Sequence, residues 1–192
     1  MSDMQAVSDE QLIEWVAQGD ASCLGTLFER HHRAVYQFCL QITRHGALAE
    51  DIVQDVFLKI LKKAGTFRGD GSFKGWMFHI ARNEALNQLR TAKRRNTTPT
   101  DPSLLDAELV DGRSAEQAAT GHEALEALNR AMASLPVSVR EVIWLGRMEF
   151  DGYEDLATAL GCTPATARVR MHRAMKKLSQ CLDSAGGELC HE

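Results

Sequence analysis

Tyr153-Glu154-Asp155-Leu156-Ala157-Thr158-Ala159-Leu160-Gly161-Cys162-Thr163-Pro164-Ala165-Thr166-Ala167-Arg168-Val169-Arg170-Met171-His172-Arg173-Ala174 is the stretch that decides how this chain is read. Tyr153, Leu156, Ala157 and Leu160 have helical spacing, and Gly161 breaks the run. Thr163-Pro164 then restarts the chain with an N-cap residue followed by proline at the first helical position. The second helix places Ala167, Met171, Ala174 and Leu178 on one face. Its opposite side carries Arg168, Val169, His172, Arg173 and Lys176, flanked by Thr166 and Arg170, and no acid falls between Thr163 and Lys177. Two short helices about a glycine turn, the second of them basic, form a helix–turn–helix of the kind that enters the DNA major groove.

The net charge of −4 argues against a nucleic-acid binder until it is resolved along the chain. Met1 to Asp20 holds five acids and no base. From Lys59 to Arg95 the balance reverses: Lys59, Lys62, Lys63, Arg68, Lys74, Arg82, Arg90, Lys93, Arg94 and Arg95 face only Asp70 and Glu84. Asp101 to Glu126 is acidic again, with Arg113 as its single base. Two basic blocks separated by an acidic connector imply two DNA-contacting modules.

The first half reads as consecutive helices. Ser8 and Gln11 fit a capping box opening a helix through Ala17, after which Gly19-Asp20 ends it and caps the next. Leu24, Leu27, Phe28, Val35, Phe38 and Ile42 form a long apolar stripe that His45-Gly46 interrupts. Ile52, Val53, Val56, Phe57, Ile60 and Leu61 recur as adjacent pairs, which predicts a wide buried face. Phe67 to Ser72 is a loop by its glycines, with Ser72 positioned to cap a helix from Phe73 to about Lys93. Phe73, Trp76, Met77 and Ile80 share one side of it, while Arg82, Asn83, Asn87, Gln88 and Arg90 lie on the other. Phe73 and Trp76 read first as core residues.

Asn96 to Gly121, with Thr-Thr-Pro-Thr-Asp-Pro and no long apolar period, reads as a flexible acidic linker. A second module starts near His122: Leu125, Leu128 and Met132 mark a helix closed by Leu135-Pro136, and Val139, Val142, Ile143 and Met148 mark the next. No window alternates as a strand does. The expectation is an all-α protein with two small helical domains, 1–95 and 122–179, joined by the linker 96–121 and followed by a tail, 180–192. The helix–turn–helix belongs to the second domain.

Catalysis finds little support, because no H-E-x-x-H, G-x-S-x-G or P-loop pattern occurs. The five cysteines are odd in number and scattered, which fits reduced thiols. Cys181, Cys190 and His191 are of metal-ligand type, but a frayed terminus is the simpler reading. No apolar run approaches the roughly 20 residues of a bilayer span, and the acidic N-terminus is unlike a signal peptide, so the expected location is cytoplasmic.

The order of motifs now becomes specific. Ala49-Glu50-Asp51-Ile52-Val53-Gln54-Asp55-Val56-Phe57-Leu58, then Phe67-Arg68-Gly69-Asp70, then Trp76-Met77-Phe78-His79-Ile80-Ala81-Arg82-Asn83, resembles the promoter-opening domain of bacterial sigma factors. The likeness is to the small extracytoplasmic-function (ECF) group of the sigma-70 family. Ser134-Leu135-Pro136, Arg140-Glu141-Val142, Tyr153-Glu154-Asp155-Leu156-Ala157 and Arg170-Met171-His172-Arg173-Ala174 are similar to that group's C-terminal domain.

The resemblance implies a transcription initiation subunit, not an enzyme, with no cofactor or metal. Its partners would be core RNA polymerase (the β′ coiled coil and the β flap), promoter DNA and a sequestering anti-sigma factor. Asp51, Gln54, Asp55 and Leu58 would dock on the polymerase, since charge steers and an apolar contact holds. Arg68, Asp70, Trp76, Arg82, Asn83, Asn87, Arg90 and Arg94 would serve the −10 element: the asparagines supply hydrogen-bonding edges, the cations, with Lys93 and Arg95, neutralise phosphates. The −35 element would fall to Thr163, Thr166, Arg168, Val169, Arg170, His172, Arg173 and Lys176, the threonines meeting phosphates near the helix N-terminus. Two departures bear on promoter choice. Val169 stands where a small polar residue is common, so its contact would be apolar. Phe150-Asp151-Gly152 replaces a glycine-apolar-serine lead-in, leaving Asp151 or Gly152 as cap. The alternative, a stand-alone helix–turn–helix regulator, leaves the basic block after the Arg-Gly-Asp loop unexplained.

Overall fold

Capping and apolar spacing account for most of the helix boundaries. The structure, a computed structural model, describes residues 6–69, 71–95, 128–148 and 150–187, all helices and connections with no strand among them. The acidic linker over 96–121, Asp70, and Cys190 with His191 lie outside the described residues. Helix α1 (Asp9–Ala17) starts where Ser8 accepts from the Gln11 amide at 3.2 Å. Helix α2 (Ser22–Thr43) starts under Asp20, whose Oδ1 accepts from the Ser22 amide at 3.0 Å. It ends at Arg44 in the left-handed region, φ 57°. Helix α3 (Gly46–Lys63) is capped by a residue that sequence reading treats only as a breaker: His45 Nδ1 accepts from the Leu48 amide at 3.1 Å.

On α3 the pair pattern buries Ile52, Val53, Val56, Phe57 and Ile60, but Leu61 is 40% exposed. The expected buried face is thus narrower by one residue: successive positions turn by about 100°, and Leu61 already faces away from α2 and α4. A single 3-10 turn (Ala64–Thr66) and a loop lead into α4 (Phe73–Arg95), where Ser72 Oγ accepts from the Gly75 amide at 3.0 Å. Residues 128–134 form α5, followed by α6 (Val137–Gly146), α7 (Tyr153–Leu160) and α8 (Pro164–Gly187). Helix α8 runs on past Leu178, so Cys181 lies on it.

Helices α1 to α4 pack around Leu12, Leu27, Phe38, Ile52, Ile60, Phe73 and Met77, each fully buried. Helices α6, α7 and α8 pack around Leu145, Leu156, Leu160, Ala167 and Ala174. The two groups are not separate bodies. Helix α7 lies along α4, α6 meets α2, and the buried apolar residues of both halves form one continuous cluster. Phe78 is the hinge pin of that cluster: its ring meets Phe38 edge-on at 5.6 Å and Phe150 at 5.9 Å. Edge-on aromatic pairs contribute about 0.5–1.5 kcal/mol beyond their buried area.

Candidate nucleic-acid interface

The helix–turn–helix forms as its letters predict. Gly161, at φ 65°, closes α7 with a Schellman pattern: its amide donates to the Thr158 carbonyl at 3.1 Å, and the Cys162 amide to the Ala157 carbonyl at 3.0 Å. Thr163 then caps α8, its Oγ1 accepting from the Thr166 amide at 3.3 Å and lying 2.9 Å from Thr166 Oγ1. Gly152 occupies the N-cap position of α7, and Asp155 reaches back to accept from the Asp151 amide at 3.3 Å.

With Ala167, Ala174 and Leu178 buried, the opposite face of α8 is open: Thr163, Thr166, Arg168, Val169, Arg170, His172, Arg173 and Lys176 are all exposed. Arg168 is oriented over the Tyr153 ring at 5.0 Å from its centroid. Val169 presents an apolar side chain, 48% exposed, amid the cations. This surface combines a cationic face, two hydroxyls at a helix N-terminus and one apolar tip, the ingredients for phosphate and base-edge contacts.

The residues expected to serve the −10 element divide into two sets. Asn83, Asn87 and Arg90 are exposed along α4; Asn83 Nδ2 lies 3.0 Å from His79 Nε2, and Arg90 donates to Asn87 Oδ1 at 3.1 Å. Arg68 is exposed on the loop, and Arg94 near the end of α4. Trp76 is half-buried against Phe67 and Phe73, at 5.5 and 6.1 Å between ring centroids. Arg82 faces the other way: its Nε and Nη2 each donate, at 2.9 Å, to the carboxylate of Glu141 on α6, itself 3% exposed. Periodicity alone had grouped Arg82 with the open surface of α4. The carboxylate that claims it comes from a distant part of the chain, where no local pattern announces it.

On α3, Asp51, Gln54 and Leu58 are exposed and Asp55 is half-exposed, forming one stripe at helical spacing. Leu58 is 52% exposed, and the exposed Leu61 extends its apolar end one turn further. The spacing of Leu61 beside Ile60 predicts a core position, and the structure leaves it on this surface instead. Among the described residues no three His, Cys, Asp or Glu side chains gather as metal ligands would. No described helix is long and apolar enough to cross a membrane.

This arrangement, a helix–turn–helix beside a four-helix body with its own basic helix, is that of a promoter-reading protein. The Sigma-70 region 2 family matches residues 27–95, and the Sigma-70, region 4 family matches residues 125–178. The RNA polymerase sigma-H factor of Pseudomonas aeruginosa is 30% identical over 181 residues, covering 91% of this chain and 93% of that protein. The ECF RNA polymerase sigma factor SigM of Mycobacterium tuberculosis is 32% identical over 175 residues, covering 91% of this chain and 85% of its own. The sigma factor RpoE of Bartonella quintana, solved in complex with the anti-sigma factor NepR, superimposes with a TM-score of 0.64 at 27% identity, over 83% of this chain and 96% of that one. The chain belongs to the ECF sigma factors of the sigma-70 family, which are transcription initiation factors.

Proposed function

We propose that this sigma factor divides its work among three surfaces. The stripe Asp51, Gln54, Asp55 and Leu58, extended by Leu61, docks on core RNA polymerase. The loop Phe67–Ser72 with α4 takes the −10 element, through Asn83 and Asn87 for bases and Arg68, Arg90 and Arg94 for phosphates. The open face of α8 reads the −35 element. Residues 1–95 and 122–179 act as the two domains, with 96–121 setting the reach between them.

The observation that supports this most is the face of α8: its cations are exposed while its alanines and Leu178 fill the core. Val169 selects a thymine methyl, and Arg170 and Arg173 take phosphates or guanine edges. The exposed acid-and-leucine stripe on α3 supports a protein partner, because leucines open to solvent beside carboxylates suit a contact that is steered and then held dry. An anti-sigma factor is proposed as a regulating partner, since the Bartonella relative was solved with one. On the same reading the protein acts in the cytoplasm.

Run-off transcription with purified core polymerase on a fragmented genomic library tests the assignment. Discrete starts that require this protein, and that vanish with Asp51→Arg plus Asp55→Arg, are the expected result. Starts that survive that double substitution would remove α3 from the polymerase interface.

A further inference from the structure

Arg140 carries a buried charge that only backbone dipoles answer. It is 7% exposed, yet no described carboxylate pairs with it. It also lies near the N-terminal end of α6, where the helix dipole disfavours a cation. Arginine stays protonated even when buried, so its neighbours must meet the charge. Nη1 donates to the Leu135 carbonyl at 3.1 Å and the Ala133 carbonyl at 3.4 Å, and Nη2 to the Ile42 carbonyl at 3.4 Å. Nε is buried and has no hydrogen-bond acceptor among the described residues. A second guanidinium stands beside the first: Arg44 Nη1 donates to the same Ala133 carbonyl at 3.3 Å. Burial and the Arg44 charge both push the Arg140 pKa down.

The two guanidiniums line a cavity of about 20 Å³ whose wall also carries Gln41, Asn129 and Met132. Both amide side chains are half-buried, and each brings an NH2 donor. Two cations and two amides, with no carboxylate in the lining, make a donor set for an anion. Volume decides how much of that anion enters. A water needs about 10–15 Å³, so one or two oxyanion oxygens fit while the remainder sits at the mouth beside the exposed Arg44. A nucleobase or other planar ring is too large. Charge decides which oxyanion fits best: a phosphoryl group carries about −1.5 to −2 at neutral pH and so balances two guanidiniums, which a single carboxylate does not.

We propose that Gln41, Arg44, Asn129 and Arg140 form a binding site for a small phosphate ligand, either the free ion or the phosphoryl head of a small monoester. One phosphoryl oxygen accepts from Arg140 Nε, a second meets Arg44 at the mouth, and the amides donate to the rest. The carbonyl contacts of the Arg140 Nη atoms stay as they are and hold the guanidinium plane in position. Gln41 and Arg44 come from the C-terminal end of α2, Asn129 from α5 and Arg140 from α6, so the ligand touches both halves of the chain. A ligand that binds only the assembled site stabilises that assembly by mass action. The site is an input for a small molecule, apart from the α3, α4 and α8 surfaces assigned above.

The test uses the full chain labelled with nitrogen-15 and inorganic phosphate as probe, with chloride at matched ionic strength as reference. The readout is the Arg140 Nε–H resonance, recognised by its loss in Arg140→Lys. Phosphate is expected to move it saturably and chloride to leave it in place. The side-chain amide signals of Gln41 and Asn129 report the same event if Arg140→Lys does not fold. Arg44→Asn removes one guanidinium and suits the left-handed backbone at that position. It is expected to weaken phosphate binding about tenfold or more, the weight of one hydrogen-bonded charge. Arg33→Gln, an equal charge change at an exposed position about three turns earlier on α2, is expected to leave binding unaltered. The rise in melting temperature from chloride to phosphate should shrink in Arg44→Asn, and an equal rise overturns the link to the assembled halves. Glycerol 1-phosphate is the second probe: tighter binding than inorganic phosphate assigns the site to monoesters, and weaker binding assigns it to the free ion. Signals unmoved by both probes, or an affinity that Arg44→Asn leaves intact, overturn the site. A random-sequence DNA duplex that moves the same signals at a lower phosphate concentration than either probe overturns the small-molecule ligand.

Discussion

Phe150, in the connection before α7, meets Phe78 of α4 edge-on at 5.9 Å with the ring planes 87° apart. The pair joins two parts of the chain that family comparison assigns to different regions, 27–95 and 125–178. Phe78 is fully buried and Phe150 half-buried, with Lys74 Nζ at 5.9 Å from the Phe150 centroid.

Truncating the two rings should therefore separate core stability from domain closure. Phe78→Ala is expected to cost about 3–5 kcal/mol, as large-to-small changes at fully buried aromatics do. Phe150→Ala should cost less, because part of its ring is already in water, and should loosen the contact of α7 with α4. Urea unfolding monitored by far-ultraviolet circular dichroism gives both values; equal losses would contradict the burial difference.

Gly161 is held to its identity twice. Its φ of 65° costs a residue with a Cβ roughly 1–2 kcal/mol, and the added atom would press on His79 at 3.1 Å. Gly161→Ala should lower the melting temperature and weaken duplex binding together, since the turn aims α8. Asparagine, which tolerates the left-handed region, should lose less of the backbone contribution.

Cations on α8 that meet phosphates carry a recognisable salt signature. Arg173→Ala should weaken promoter binding and lower the slope of log affinity against log salt by about one counterion. Val169→Ala should reduce discrimination for one base pair and leave that slope unchanged. Titrations at several salt concentrations on matched and mismatched −35 duplexes distinguish the two; a slope unmoved by Arg173→Ala would place that side chain off the DNA backbone.

Acid sensitivity should trace to the first turn of α1. Burial pushes the Asp9 carboxyl up, but hydrogen bonds from His31 and Arg30, each 2.6 Å away, and their charges outweigh it and hold the pKa below the ordinary carboxylate value. A depressed folded-state pKa contributes stability that is present above the unfolded value near pH 4 and lost as pH falls through the folded one. Asp9→Asn should lower stability at neutral pH and flatten the fall below about pH 4. Melting curves across that range check both signs.

Thiol chemistry should follow burial. Cys39 is fully enclosed on α2, and burial pushes its pKa up to about 12; burial and the Asp20 carboxylate raise Cys23 as well. Cys162 and Cys181 are only half-buried. Alkylation of the native protein, mapped by peptide mass, should label Cys162 and Cys181 well before Cys23 and Cys39, and urea should remove the difference.

The helices were legible in the sequence because caps and apolar spacing are local signals. Ser8, Ser72, Gly161 and Thr163 each act within three to five residues of their own position. The open face of α8 was legible for the same reason: its alanines and Leu178 define an inside, and the cations fall opposite. What the sequence could not announce depends on partners far along the chain. Glu141 claims Arg82 across 59 positions, and Asp155 claims the Ser72 amide across 83. Gly75 reads as a weak point in a helix until α7 lies against it. Leu61 belonged to the core by pairing with Ile60, and only the packing of α3 against its neighbours leaves it outside.

The guanidinium of Arg140 bears on how freely this protein can be recombined with its relatives. It serves carbonyls on both sides of the junction, Leu135 beside it and Ile42 from α2. A chimera that grafts this C-terminal half onto another sigma factor's N-terminal half would bring with it the α8 face proposed to read the −35 element. It would also deliver Arg140 and Glu141 to a surface that evolved opposite other residues. Such a hybrid inherits a junction between its halves that neither parent had.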